Sequence, residues 1–327
     1  MLKTRFTDLL GCEVPVQLAP MGSICSRDLA VAVTAAGGMA MVAPHLAPPA
    51  MVGELLADVA ANAPGPVGIN FLVPFVDRAA VETAASRAPL VDFYHGSVDV
   101  SLVELVHGGG ALAGWQVGSV EQAVAAVEAG CEVLVIRGLE GGGRMHGDRS
   151  LWPLLAEILD ATEGSGVAVL AAGGIASGRL LAAALAAGAD GVRLGTRFLA
   201  TPEANVHPQY KQALVEAKAS ESVLSDAFDG MWPDAEKTSR VLRRSLEAAT
   251  AFRGEVVAEV VLGGQARALP PFHLAPPTGD AVGHIDAMPH YAGESCGAIR
   301  DVEPAGMLVR RFVEEAEAHL MRHQHVA

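Results

Sequence analysis

Four cysteines in 327 residues, Cys12, Cys25, Cys131 and Cys296, stand far apart and fit neither a disulfide framework nor metal-ligand spacing. No metal site is expected from them. Aromatic residues are scarce, at 5% of the chain, so the apolar half is built from alanine, valine and leucine. No apolar run is long enough to span a bilayer, and the opening MLKTRFTDLLG lacks the apolar core of a secretory signal. A cytoplasmic setting without membrane contact follows as an expectation. Basic residues are in deficit: the formal net charge of −14 argues against nucleic acid as a partner and leaves small molecules.

Glycine is plentiful, with 36 residues, and its placement is regular. Three times an alanine-rich segment ends in Ala-Gly and runs into an apolar stretch: TAAGGMAMVAP (34–44), VEAGCEVLVIRG (127–138) and LAAGADGVRLGT (185–196). Glycine there reads as a left-handed helix stop before a buried strand. The same punctuation gives strands at 14–20, 39–44, 67–72, 91–95, 111–117, 131–137, 167–173 and 191–196, with helical periodicity between them. Eight strand-helix units predict an α/β fold, a (β/α)8 TIM barrel. A doubly wound sheet is the alternative, but no G-x-G-x-x-G follows the first strand.

The pattern changes after about residue 205. Helix-like stretches (YKQALVEAKA, RVLRRSLEAAT) precede a Gly/Pro/His-rich tract, GGQARALPPFHLAPPTGDAVGHIDAMPH. Residues 206–295 are therefore expected to form an inserted, mainly helical and irregular cap, with the barrel in 1–205 and 296–327. The last segment, AGMLVRRFVEEAEAHL, is amphipathic and predicted to pack back on the barrel.

In a TIM barrel the loops after the strands make the site. Loops seven and eight carry Ala172-Gly173-Gly174 and Gly195-Thr196, where bare backbone amides and a helix amino end suit a phosphate. The same glycines could merely shape tight turns. Asn70 and Gln116 end apolar strands; they suit a heteroaromatic ring with alternating donors and acceptors, or cap neighbouring loops. Phosphate site and amides together suggest flavin mononucleotide. After strand six stands RGLEGGGRMHGDR (137–149), whose three glycines demand a close neighbour and whose Arg144 and His146 could act on it.

The chain resembles the nitronate monooxygenase (2-nitropropane dioxygenase-like) family of FMN-dependent barrels over nearly its full length. The matching stretches are PVQLAPMGS (15–23), GINFLVP (68–74), LEGGGRMHG (139–147), AVLAAGGIASGRLLAAALAAGADGVRLGTRFLATPEA (168–204) and YAGESCGAIRDVEPA (291–305). The resemblance implies an FMN ring against the backbone of Ala19, Pro20, Met21 and Gly22 and against Asn70 and Gln116. It implies a phosphate on Gly173, Gly174, Gly195 and Thr196, with Gly138, Gly142, Gly143 and Ala172 as further cofactor contacts. By the same resemblance the stretch with Tyr291, Glu294 and Ser295 returns to the cofactor; Tyr291, Ser295 and Trp232 are candidate substrate contacts.

One departure stands out. The family usually reads E-A-G-G-H in loop six, that histidine being the catalytic base. Aligned without a gap, this chain places Arg144 there and His146 two positions on. Arginine stays charged and cannot serve as an ordinary base. Either Arg144 binds an anionic substrate bidentately, or His146 acts as acid or base. A second-shell histidine beside Asp148 and an Arg144 ion pair to Glu140 or Asp148 are the structural alternatives. The implied function is an FMN oxidoreductase that oxidises an alkyl nitronate with dioxygen. The rivals are an NAD(P)H-dependent reductase of a quinone or enoyl thioester, and a non-flavin phosphate-binding barrel. Assembly into a homo-oligomer is left open.

Overall fold

The computed structural model describes residues 2–44, 46–228, 232, 238–262 and 265–324. Eight parallel strands form one sheet: Val16–Leu18, Ala40–Val42, Val67–Leu72, Leu90–Tyr94, Leu112–Val117, Val133–Arg137, Ala168–Ala172 and Gly191–Leu194. They are called barrel strands one to eight below, and each falls within one residue of, or inside, the stretch its sequence predicts. Strand one pairs with strand eight, in the register Gln17 to Arg193. Strands one and two meet through a parallel bridge, Gln17 to Met39, with Leu18 N–H donating to Met39 O at 2.9 Å. The sheet is thereby closed into a barrel.

Alternation along each strand sorts its residues between two cores. Outward side chains such as Val16, Leu18, Ile69, Phe93, Trp115 and Val192 pack against the surrounding helices. Inward ones form a smaller cluster of Met39, Met41, Leu90, Val133, Val135, Ala168 and Leu170. Helix Arg5–Leu10 adds Phe6 and Leu10 to that inner cluster and plugs the floor. Its anchors are Thr4 Oγ1, donating to Asp190 O at 2.6 Å, and Arg5, donating to Val167 O at 2.9 Å.

Above this apolar floor the interior turns polar. Arg193, 2% exposed, forms an ion pair with the fully buried Asp92 and donates to Gln17 Oε1 at 2.6 Å and Gln116 Oε1 at 3.3 Å. Asn70 Nδ2 donates to the second oxygen of Asp92 at 2.7 Å. Five strands thus contribute to one hydrogen-bonded layer, which the apolar strand patterns did not announce.

Residues 206–295 contain more strand than the expected mainly helical, irregular cap. Ser222–Ser225 and Ser239–Leu242 pair antiparallel, and Gly143–Arg144 of loop six joins their sheet. Ala258–Leu262 pairs with Gln265–Leu269 and with Val282–Gly283. The hairpin tract lies in what reads as a Gly/Pro/His-rich loop, because its apolar face is supplied by distant residues. Phe228, Val241, Ala249, Val257, Leu269, Ile285 and Met288 form a third hydrophobic cluster here. Tyr210, Ala213 and Leu214 of helix Pro208–Glu216 belong instead to the barrel's outer core. The closing helix, Ala305–Gln324, buries Leu308, Val309, Phe312 and Ala316 and lies on helix Gly178–Ala186, as its amphipathic pattern predicts.

Removing one member of a buried ion pair leaves its partner charged and dry. Arg193→Met is expected to cost about 3–5 kcal/mol of stability, well beyond an ordinary core substitution. Urea denaturation measures it; a loss below about 1 kcal/mol would show that the interior layer does not depend on the pair.

Candidate active site

Each interior strand position is followed, two residues on, by one at the mouth. On strands one, seven and eight those residues are Ala19, Ala172 and Gly195; on strands four and six they are Tyr94 and Arg137. Small residues therefore end the strands on one side of the mouth and larger ones on the other. Beside the small residues, Gly173 and Gly174 both lie in the left-handed region, at φ 115° and 69°. A side chain at Gly173 would come within 3.1 Å of Gly138 O, and one at Gly174 within 3.2 Å of the Glu140 Cβ. A cavity of about 240 Å³ borders these glycines, with Leu151, Trp152 and Ile175, but also Glu140 and Glu294. Two carboxylates repel an anion, so this cavity is not itself suited to a phosphate.

At the helix after strand seven the first amide is engaged within the chain: Gly178 N–H donates to Glu315 Oε2 of the closing helix at 2.9 Å. Thr196 also has a duty within the chain: its hydroxyl accepts from Gly293 N–H at 3.0 Å.

The three glycines of loop six have three separate reasons. Gly141 lies over the Arg137 guanidinium, where a Cβ would stand 3.1 Å from Cζ. Gly143 has φ 78° and open space around it, so it is glycine for its backbone angle. Gly142 faces the chain itself: a Cβ would collide with Gly293 N and lie 2.7 Å from Ala292 C. Gly293 in turn would press on Glu140 O, at 2.5 Å, if it carried a side chain. Two bare backbones dock here, joined by Glu294 N–H donating to Glu140 O at 2.9 Å. Arg240, 6% exposed, rivets the joint by donating to Leu139 O at 2.9 Å and Ser222 O at 3.0 Å. Burial draws its pKa down and the neighbouring Glu294 opposes this. The Glu140 carboxylate accepts from Leu151 N–H at 3.1 Å, at the start of helix Leu151–Ala161.

Docked in this way, loop six leaves the cap sheet and crosses the larger-residue side of the mouth. The Arg144 guanidinium lies 3.9 Å from the centre of the Trp232 ring. Trp232, itself buried, meets the edge of Phe75 at 4.9 Å and His95 at 4.7 Å between centroids. His146 stands 5.0 Å from the His95 ring, with Tyr94 at 6.3 Å. Tyr94 and Arg137 both donate to Arg144 O, at 2.9 and 3.0 Å. Arg144 and His146 of loop six thus share one cluster with Trp232, which is distant in the chain.

The remaining candidates divide. Asn70 and Gln116 are buried just beneath the mouth, with one amide group of each already engaged by the polar layer. Ala19, Pro20, Met21 and Gly22 form a half-buried loop held by Cys25, which donates to Ala19 O at 3.2 Å and accepts from Met21 N–H at 3.3 Å. Burial pushes that thiol up to about 12, so it is no nucleophile at neutral pH. Gly138 is buried beneath loop six. Tyr291 packs with the cap cluster and its hydroxyl donates to Leu274 O at 2.9 Å. Ser295 is buried one residue beyond the docked backbone. His290 is stacked on Tyr210 at 4.4 Å and bonded to Ile285 O at 3.0 Å, deep in the cap.

A profile of the nitronate monooxygenase family matches residues 55–315. The chain belongs to that family, and it is an oxidoreductase. It is 30% identical to nitronate monooxygenase npaC of Metarhizium robertsii over 92% of this chain and 90% of that one. It is 32% identical to a Mycobacterium tuberculosis protein named as a dehydrogenase of a hydroxy-methyl-oxo-octahydroindene carboxyl-CoA, over 75% and 67%. Among solved structures, FabK from Thermotoga maritima superposes with a TM-score of 0.80 over all of both chains, at 24% identity, a likeness of fold.

Within this nitronate monooxygenase relative, sequence reasoning passed over several mouth residues. His95, 1% exposed and at φ 65°, ends strand four in a conformation that costs a non-glycine residue energy. Asp92 and Arg193 were hidden in apolar runs. Their signal was available: one charged residue inside a buried strand must find a partner.

Two predictions follow from loop six and the cap. Gly142→Ala, which must separate two docked backbones, is expected to cost about 2–3 kcal/mol, and Gly143→Ala only about 1 kcal/mol for its backbone angle. Urea melts of both variants test the ranking, and equal costs would contradict it. Burial lowers the His290 pKa to about 4. Because that value lies below the unfolded 6.5, the unfolded chain takes up the proton first as pH falls. Stability present above pH 6.5 should decline towards pH 4, by about 3 kcal/mol in all. His290→Gln should flatten this part of the stability–pH curve; an unchanged slope would assign it to other groups.

Proposed function

We propose that the chain is an FMN-dependent oxidoreductase acting on a small substrate that arrives already anionic, of the alkyl nitronate type. The carrying observation is Arg144, a permanent cation stacked on Trp232 at the mouth, at the position where the family's usual pattern has its histidine base. A nitronate has already lost its proton, so its oxidation needs a grip on negative charge and no base. The planar guanidinium fork suits two oxygens of a nitro or carboxylate group.

The residues fit the cofactor. Ala19, Ala172 and Gly195 put no long side chain on their side of the mouth, and Gly173 and Gly174 present backbone in the left-handed region beside them. In this reading the amides of Gly173, Gly174, Gly195 and Thr196 hold the phosphate, and Ala19–Gly22, Asn70 and Gln116 line the ring. When bound, the flavin supplies the two-electron acceptor and the reaction with dioxygen. The chain's own part is to bind and orient: Arg144 holds the anion, while Trp232, Phe75 and His95 keep water from that side. Gly142 and Gly143 shape loop six, and Tyr291 and Ser295 stay candidate substrate contacts.

The carboxyl-CoA relative at 32% identity supports a second reading, oxidation of a bulky acyl thioester in the same mouth. Anaerobic mixing separates them. The purified protein should be yellow, and a small nitronate should bleach it, while NADPH should not. Arg144→Ala should lower kcat/KM for the nitronate about 10- to 100-fold, the loss of a charged hydrogen bond. Protein that stays colourless after FMN is added would end the flavin reading; bleaching by an acyl-CoA alone would replace the nitronate.

A further inference from the structure

Loop six is tied to helix Val120–Glu128 by contacts that decide which nitrogen of His146 bears the proton. Gly118 N–H donates to Gln122 Oε1 at 2.9 Å. A backbone N–H can be met only by the oxygen of an amide, so the orientation of Gln122 is fixed. Its other end, the Nε2 amino group, is a donor without acceptor capacity, and it meets His146 Nε2. A donor requires a lone pair opposite. In this arrangement Nε2 accepts and the ring proton resides on Nδ1.

The surroundings hold both partners in place. Ser119 Oγ accepts from Gln122 N–H at 3.2 Å, capping the helix that carries the amide. The His146 carbonyl lies where a side chain at Gly118 would stand, and Gly147, at φ 99°, turns the chain away with its α-carbon against Gly118. On the other side the imidazole meets His95 and the edge of Tyr94.

We infer that Gln122 is a positioning residue that locks His146 as its Nδ1–H tautomer, with the Nε2 lone pair occupied and withdrawn from proton abstraction. Gln122 Nε2 takes up the lone pair that a family-type base would use. The consequence for turnover rests on the anionic-substrate reading: with the Nε2 lone pair of His146 occupied, a neutral nitroalkane, which must first lose a C–H proton, is a poorer substrate than an anion that has already lost it. The tautomer itself does not depend on that reading.

Two-bond 1H–15N spectra of 15N-histidine-labelled protein report which ring nitrogen carries the proton, with the His146 signals assigned by their loss in His146→Ala. The unaltered protein should show an Nδ1–H pattern for His146; an Nε2–H pattern there overturns the inference without any variant. Gln122→Glu keeps an oxygen for Gly118 N–H and replaces the donor by an acceptor. It should switch His146 to Nε2–H and raise the nitroalkane-to-nitronate ratio of kcat/KM at least about tenfold, the low side of acid–base catalysis. A variant that folds but leaves the tautomer unchanged also overturns it. If the tautomer switches and neither compound is turned over, the positioning role stands and the substrate reading falls.

Discussion

A charged guanidinium inside a barrel is tolerable only if every direction in which it points meets an acceptor. Arg193 meets Asp92, Gln17 and Gln116, and Asp92 uses its second oxygen on Asn70. The layer of residues directly beneath the mouth is fixed by this requirement. Its floor is apolar and plugged by Phe6 and Leu10, so water cannot substitute for a missing partner. Residues that read from the sequence as two isolated amides facing a ligand are thus one end of a network. Their orientation is set from below before any ligand arrives.

Above that layer the mouth is asymmetric, and the asymmetry has a simple origin. Small residues end strands one, seven and eight, while Tyr94 and Arg137 end four and six. The small-residue half is where our reading puts the cofactor. The filled half carries a cation, two imidazoles and a cluster of aromatic rings. The resemblance drawn from the sequence, which sets Arg144 where the family's histidine stands and His146 two positions on, agrees with this division. What was a site for removing a proton becomes, in our reading, a site for receiving charge.

Loop six can cross that filled half only because the cap holds it. Gly143 and Arg144 pair with Arg240 and Ser239, and Met145 N–H donates to Thr238 O at 2.9 Å. The Ala292–Gly293 backbone lies flat on Gly142, a contact that tolerates no Cβ on either side. Cap and loop therefore share a sheet and a backbone joint, and a change in either is felt by both. The triple glycine looked like a cradle for a ligand; at its centre it is a cradle for the chain.

The sequence by itself determined the barrel. Strands buried on both faces must be continuously apolar, and helix stops before them must be left-handed, so eight units could be counted from VGINFL, CEVLVIR and their like. It also carried the family likeness, the glycines of loops seven and eight, and the exchange of arginine for histidine. Only the tertiary structure decided what those groups face. A sequence shows that Gly142 needs a close neighbour but not that the neighbour is Gly293, about 150 residues on. It shows His146 but not Gln122, and it hides Asp92 and Arg193 in strands that are otherwise apolar. Periodicity is a local property written along the chain, whereas the pairing of a donor with an acceptor exists only once closure brings distant strands together.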